Sequence, residues 1–100
     1  MQPGRSKQGR ISQDEAEAIA TQALAYIAGD AVRLGRFLAE SGLGPENLRK
    51  AARDPSFLPA VLDYVLSHEQ DLIDFAAMCG IDPKLVDAAR QMLADASPRI

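Results

Sequence analysis

Two short stretches of the chain, residues 37–45 (FLAESGLGP) and residues 75–83 (FAAMCGIDP), follow the same plan. In each, an apolar helical run stops at a Gly, an aliphatic residue follows, and a Pro two positions later opens another apolar run. Gly tolerates the left-handed conformation just past a helix end, and Pro suits the first helical position, where a backbone N–H has no partner within the helix. Each stretch therefore predicts a helix, a sharp turn and a second helix.

The helices around the first stretch are bounded by recognisable start and stop signals. Residues 12–15 (SQDE) fit a capping box that opens a first helix, and Gly29 is its stop. Asp30 is placed to cap a second helix that ends at Gly42. A short third helix is predicted from residue 45 to about residue 53, with its basic side chains facing outward.

The second half of the chain restarts the same scheme. A fourth helix is predicted after Pro55, with Pro59 in its first turn, since the two prolines cannot both take the first position. Residues 67–70 (SHEQ) fit a second capping box, which opens a fifth helix that stops at Gly80. A sixth helix is predicted over residues 83–94.

The two halves align at an offset of 38 residues without a gap. The identical pairs are Leu24/Leu62, Tyr26/Tyr64, Leu34/Leu72, Phe37/Phe75, Ala39/Ala77, Gly42/Gly80, Pro45/Pro83 and Ala51/Ala89. These matches fall on predicted core positions and turns, which favours two related three-helix halves that share one core. The paired Tyr26 and Tyr64 suggest a common packing role, with each hydroxyl at the boundary of the core.

Length and composition favour one domain. One hundred residues, 47% of them hydrophobic, suit a single compact core. We expect a flexible basic tail over residues 1–11, a helical domain over residues 12–96 and a short C-terminal tail over residues 97–100. No apolar run approaches the roughly 18 to 20 residues that cross a bilayer, and the single Cys79 excludes an intramolecular disulfide. These features predict a cytoplasmic protein without a membrane partner.

The sequence reveals no convergent chemistry for catalysis. One His and one Cys at separate helix ends give no metal-ligand cluster, and there is no Gly-rich phosphate loop. His68 is interpreted as a solvated polar residue, and Cys79 as a small core or boundary residue. The acids that recur at helix-surface spacing, which indicates a solvated face, are Glu69, Asp71, Asp74 and Asp87. We therefore expect no enzymatic activity, no metal and no cofactor.

DNA binding is the most specific alternative function that the sequence suggests. A helix-turn-helix needs a Gly at the turn, with apolar residues at set distances on either side, so that the second helix can enter the major groove. Gly80 and Val86 fit this spacing well, and Gly42 and Leu48 fit it less well. Only the helix after Gly42 is basic, so this helix is the candidate for contact with DNA.

A family resemblance follows from short runs along the chain. Residues 34–38 (LGRFL), 42–43 (GL), 54–58 (DPSFL) and 61–63 (VLD) resemble a family of short, all-helical bacterial proteins known only as a domain of unknown function. The resemblance covers about residues 14–94. It implies a helical fold in a bacterial cytoplasm, and it carries over no activity, substrate or catalytic residue.

The sequence as a whole predicts a compact all-α domain of five to six short helices. Its predicted role is a non-enzymatic interaction module whose partner is another protein, because a small helical domain can offer an apolar groove or a charged face. The oligomeric state stays open. The basic residues of the predicted interaction face are Arg33, Arg36, Arg49, Lys50 and Arg53.

Overall fold

The computed structural model describes residues 11–96, and within them the fold is helical with no strand. The helices are α1 (Gln13–Ala28), α2 (Ala31–Ser41), α3 (Leu48–Ala51), α4 (Phe57–Ser67), α5 (Glu69–Cys79) and α6 (Pro83–Ala96), and a 3-10 turn (Pro45–Asn47) precedes α3. The all-α prediction is confirmed. The two predicted tails lie outside the described residues, apart from residue 11.

Three helices, α1, α4 and α6, pack against one another at the centre of the domain. Helix α5 lies against α4 and α6, while α2 lies against α1 and α4. The residues that form the buried apolar cluster are Ala16, Ala20, Ala23, Tyr26, Ile27, Phe37, Phe57, Val61, Leu62, Tyr64, Val65, Phe75, Val86, Ala89 and Leu93. All three phenylalanines of the chain are buried in this cluster.

The predicted helix boundaries are confirmed where they rest on local hydrogen bonding. Ser12 accepts a hydrogen bond from the backbone N–H of Glu15, whose carboxylate accepts one from the N–H of Ser12, so α1 begins with a complete capping box. Both Gly42 (φ +74°) and Gly80 (φ +69°) adopt the left-handed conformation that ends α2 and α5. The residue after each Gly donates a 3.0 Å hydrogen bond to the carbonyl five positions earlier, which is the Schellman arrangement.

Two predicted helix starts are wrong. The hydroxyl of Ser67 does not cap α5; it donates to the carbonyl of Asp63, within α4, at 2.8 Å. The break between the two helices falls instead at His68, whose backbone is extended and whose side chain makes no cap hydrogen bond. The predicted third helix is also shorter than expected, because residues 45–47 form a 3-10 turn and only residues 48–51 are α-helical.

The 38-residue offset is visible in the two helices that end at the Gly turns. Helix α2 begins at residue 31 and ends at residue 41, and α5 begins and ends 38 residues later in each case. Beyond the turns the halves differ: α3 has no buried residue, whereas α6 packs against α1 and α4. A common origin for the two halves stays a prediction.

Candidate functional site

A buried carboxylate lies where α1, α2, α4 and α5 meet. Asp71, on α5, is 9% exposed and is classed with the buried residues of the domain. Its Oδ1 accepts a 3.2 Å hydrogen bond from the hydroxyl of Tyr26, and its Oδ2 lies 3.9 Å from Nη1 of Arg36 on α2. We call this group, together with Tyr64, the polar seam. Helices α2 and α5 meet at the seam through the side chains of Arg36 and Asp71.

The polar seam is only partly satisfied by hydrogen bonds. Within residues 11–96, neither the hydroxyl of Tyr64 nor Oδ2 of Asp71 has a hydrogen-bond partner, although both atoms are buried. Burial raises the pKa of both tyrosines, and the negative charge of Asp71 raises these pKa values further. Each phenol is therefore held in its neutral form beside Asp71.

The burial of Asp71 corrects the prediction that this residue belongs to a solvated acidic face. The spacing of acids along α5 identified the exposed Glu69 and Asp74 correctly, but Asp71 lies at the edge of the buried face of the same helix. The matched tyrosines were the signal that could have revealed it. A buried tyrosine hydroxyl needs a partner, and two of them at equivalent positions can converge on a single acceptor.

Arg33 fixes the corner between α1 and α2. Its Nε and Nη2 donate to the backbone carbonyl of Tyr26 at 3.1 and 2.9 Å, and its guanidinium carbon lies 3.8 Å from the centre of the Tyr26 ring. It also pairs with Asp30 at 3.4 Å. Because the last carbonyls of a helix have no intrahelical donor, Arg33 completes the hydrogen bonding at the end of α1.

His68 lies beside the seam and is not a freely solvated residue, contrary to the sequence interpretation. Its imidazole is half-buried, with its centre 4.4 Å from that of the Tyr64 ring. Its Nε2 lies 3.0 Å from Oε1 of Glu40 on α2. His68 and Glu40 therefore form a second polar link between α2 and the segment that starts α5.

An open groove of about 220 Å³ lies between α2 and α4, next to the seam. We call it the α2–α4 groove. The residues that line it are Phe37, Glu40 and Ser41 of α2 and Ala60, Asp63, Tyr64 and Ser67 of α4. Tyr64 belongs to both sites, because it lines the groove and its hydroxyl lies beside Asp71 and Arg36. The sequence pointed to no such convergence of polar groups, since the lining comes from two helices that are not consecutive along the chain.

The hydroxyl groups of the α2–α4 groove are engaged with their own helices. Ser41 donates to the carbonyl of Phe37 at 2.6 Å, and Ser67 donates to that of Asp63 at 2.8 Å. The carboxylate of Asp63 also accepts a 2.6 Å hydrogen bond from Nε of Arg90, on α6. Since each Ser proton is committed to a backbone carbonyl, the hydroxyl oxygens retain lone pairs for other donors.

The five basic residues that the sequence assigned to one interaction face lie in two separate places. Arg33 and Arg36 are at the C-terminal end of α1 and the polar seam. Arg53 lines a second pocket, of about 260 Å³, together with Gln13 and Glu17 at the N-terminal end of α1. At a rise of about 1.5 Å per residue, the two ends of α1 are roughly 20 Å apart, so these arginines do not share a face.

The remaining predicted residues, Arg49 and Lys50, are exposed on α3 and the structure shows no ion pair for either of them within residues 11–96. Helix α3 is a single turn, about 6 Å long. A recognition helix must reach along the major groove, and one turn provides little length for this purpose. The geometry therefore does not favour DNA binding, which stays a prediction.

Other candidate chemistry is limited in the described part of the chain. Cys79 is half-buried against the core, as predicted, and its thiol contacts Oε1 of Gln22 at 3.1 Å. Residues 11–96 contain no group of three or more His, Cys, Asp or Glu side chains that could hold a metal ion. None of the helices in this range has both the length and the apolar character needed to cross a membrane.

The fold and the site define a class: a small six-helix domain with a polar seam beside an open groove. Within that class, the chain belongs to the family described as protein of unknown function DUF3572, whose model matches residues 13–96. This confirms the resemblance to a helical domain of unknown function. Neither the curated proteins nor the solved structures contain a match to the chain.

Proposed function

We propose that this protein is a non-enzymatic interaction module that receives part of another protein in the α2–α4 groove. The observation that carries the proposal is the groove itself, an open concavity with aromatic residues and two carboxylates on adjacent helices. Its volume of about 220 Å³ is below the roughly 300 Å³ at which small-molecule sites begin, so a side chain suits it better than a cofactor. The cytoplasmic location and the bacterial origin stay predictions.

The serine geometry supports a role without catalysis. A serine nucleophile needs a base within hydrogen-bond reach, and His68 next to Ser67 in sequence is the natural candidate. The Ser67 proton is directed to the carbonyl of Asp63, however, and His68 uses its Nε2 for Glu40. Ser67, His68 and Glu40 are therefore the residue types of a nucleophile, a base and an acid, but the hydrogen bonds they make do not couple the serine to the histidine.

Site-specific photo-crosslinking tests the proposal. We would place a benzophenone amino acid at Ser67, which lines the groove, and in a matched variant at Gln91, which is exposed on α6. A protein that crosslinks at residue 67 and not at residue 91, and that then forms a complex with the unmodified chain when both are purified, is the expected result. Crosslinking at neither position, or equally at both, would overturn the proposal.

A further inference from the structure

The hydrogen-bonding character of the α2–α4 groove specifies what can enter it. Its lining offers acceptors: the carboxylates of Glu40 and Asp63, and the hydroxyl oxygens of Ser41 and Ser67, whose protons are already donated to backbone carbonyls. Among residues 11–96, no basic side chain lines the groove, although Arg90 pairs with Asp63 from α6. A ligand that uses these acceptors supplies N–H donors, and positive charge on it complements the carboxylates, Glu40 above all.

Each carboxylate of the groove keeps one oxygen available. Glu40 contacts His68 through Oε1, and Asp63 contacts Arg90 through Oδ1. For Oε2 of Glu40 and Oδ2 of Asp63, the structure shows no hydrogen bond or ion pair to any part of residues 11–96. Both side chains are about half exposed, at 47% and 52%, so a donor from outside can reach these two oxygens without displacing a helix.

Aromatic side chains complete the groove. Phe37 and Tyr64 lie edge to face, with ring centres 5.6 Å apart, and both line the groove from the core side. Tyr64 is 5% exposed, and its hydroxyl has no partner within residues 11–96. A planar cation can contact aromatic rings and carboxylates together, and among side chains the guanidinium of arginine does so best.

From these features we infer that the α2–α4 groove binds an arginine side chain carried by an exposed segment of a partner protein. The guanidinium presents five N–H donors in a fixed plane, which suits a lining that offers one carboxylate from each helix and two serine hydroxyl oxygens. This inference rests on the proposed function and adds the chemistry of the partner to it. The ammonium of lysine has three donors and no plane, so it satisfies the same acceptors less completely.

Peptide titration monitored by amide NMR of the full chain tests the inference. The probes are the capped tripeptides acetyl-Gly-Arg-Gly-amide, acetyl-Gly-Lys-Gly-amide and acetyl-Gly-Gln-Gly-amide. We expect the arginine peptide to shift the amide signals of residues 40, 63 and 67 in a saturable way, the lysine peptide to bind more weakly and the glutamine peptide not to bind. Equal binding of all three peptides, or no saturable shift with arginine, would overturn the inference.

Matched variants separate the acceptors of the groove from their neighbours. In the double variant E40Q/D63N the amides keep the shape of the side chains but remove both charges, and we expect the arginine peptide to bind roughly tenfold more weakly. In R90Q the competing cation of Asp63 is lost while the carboxylate stays, so binding should strengthen roughly two- to fivefold. Weaker binding in R90Q, or unchanged binding in E40Q/D63N, would contradict the assignment.

The crosslinking experiment distinguishes failure of this inference from failure of the proposed function. If E40Q/D63N still captures the same protein through residue 67, the groove is an interaction site but its occupant is not an arginine. If the arginine peptide binds and nothing crosslinks, the groove recognises guanidinium groups and the interaction module is wrong. The chain could instead pair with itself through this groove. The sedimentation coefficient of the unmodified chain would then depend on concentration, and that of E40Q/D63N would not. This result would overturn the proposal that the partner is a different protein.

Discussion

Helices α2 and α5 have the same local design in different surroundings. Each has 11 residues, each ends at a left-handed Gly, and each places a buried Phe at the same position. Seven residues after the paired tyrosines, however, α2 carries Arg33 and α5 carries Asp71. Arg33 lies over the Tyr26 ring, while Asp71 accepts from the Tyr26 hydroxyl. Residues of opposite charge at equivalent positions therefore both contact Tyr26, Arg33 within the first half and Asp71 from the second.

The segments after the two Gly turns diverge more strongly. Asp82 precedes α6 and accepts a 2.9 Å hydrogen bond from the backbone N–H of Lys84, whereas its counterpart is Gly44, which has no side chain to cap a helix. Leu93 is buried within α6, and its counterpart is Pro55, in the turn that follows α3. These two differences accompany the change from a one-turn helix to a 14-residue core helix. Repeated local signals do not guarantee repeated packing.

The largest expected difference between the halves is in their cores. Leu62 is fully buried on α4, and its counterpart Leu24 is only half-buried on α1. We expect L62A to lower the free energy of unfolding by about 2 to 5 kcal/mol, because it leaves a cavity at the centre of the domain. L24A should cost about 1 to 2 kcal/mol, since less apolar area is lost. Equal losses in urea denaturation would show that both halves contribute alike to the core.

A second test addresses the charge at the polar seam. In D71A the Tyr26 hydroxyl loses its acceptor in a buried place, so we expect a loss of about 1 to 3 kcal/mol in the free energy of unfolding. D71N keeps an acceptor for the Tyr26 hydroxyl and removes a buried charge whose Oδ2 accepts no hydrogen bond, with Arg36 only at 3.9 Å, and it should cost less than D71A. Denaturation of both variants at neutral pH gives the comparison, and a larger loss in D71N would mean that the charge itself stabilises the seam.

The left-handed glycines test whether the two turns are equivalent. A Cβ at Gly42 or Gly80 would meet no heavy atom within 4 Å, so only the backbone conformation opposes a side chain. We expect G42A and G80A each to reduce the free energy of unfolding by about 1 kcal/mol. Thermal unfolding of the two variants should show similar shifts. A loss of stability in only one variant would indicate that the two turns have the same conformation but contribute unequally to the free energy of unfolding.

The smallest expected effect is on stability at high pH, where the two tyrosines titrate. Burial and Asp71 raise the pKa of Tyr26 and Tyr64 above the ordinary value near 10, so the unfolded chain releases these protons first as the pH rises. The resulting stabilisation is complete below about pH 10 and is lost as the pH rises through the folded-state pKa values. Ultraviolet absorbance of tyrosinate reports the titration, and D71N should shift it to lower pH. An identical titration in D71N would exclude Asp71 as a cause.

Most of the fold could be predicted because its signals are local. The Ser12 capping box and the Gly stops depend on hydrogen bonds between neighbouring residues, which the sequence displays directly. The prediction failed at Ser67, where the same residue type bonds backward into α4. A Ser near a helix boundary can serve either helix, and only the packing of the two helices decides which one it serves.

The candidate site could not be predicted to the same extent, because it is assembled from distant residues. The residues next to Glu40 and Asp63 in the sequence give no sign of a groove. Asp71 lies between the exposed acids Glu69 and Asp74 on α5, so its burial is not apparent from the sequence. Helical spacing separates the two faces of a helix but leaves the edge positions ambiguous, and Asp71 is at such an edge. The number of basic residues suggested one interaction face. In the structure, Arg33 and Arg36 lie near the C-terminal end of α1 and Arg53 near its N-terminal end, so they do not form one.

Tyr26 takes part in two contacts of very different range along the chain. Its carbonyl meets Arg33, seven residues away, whereas its hydroxyl meets Asp71, 45 residues away. Closing the longer loop costs more chain entropy, so the first contact can form while the chain is still largely unfolded and the second only after α5 is in place. Only the joining of the halves gives that hydroxyl its acceptor.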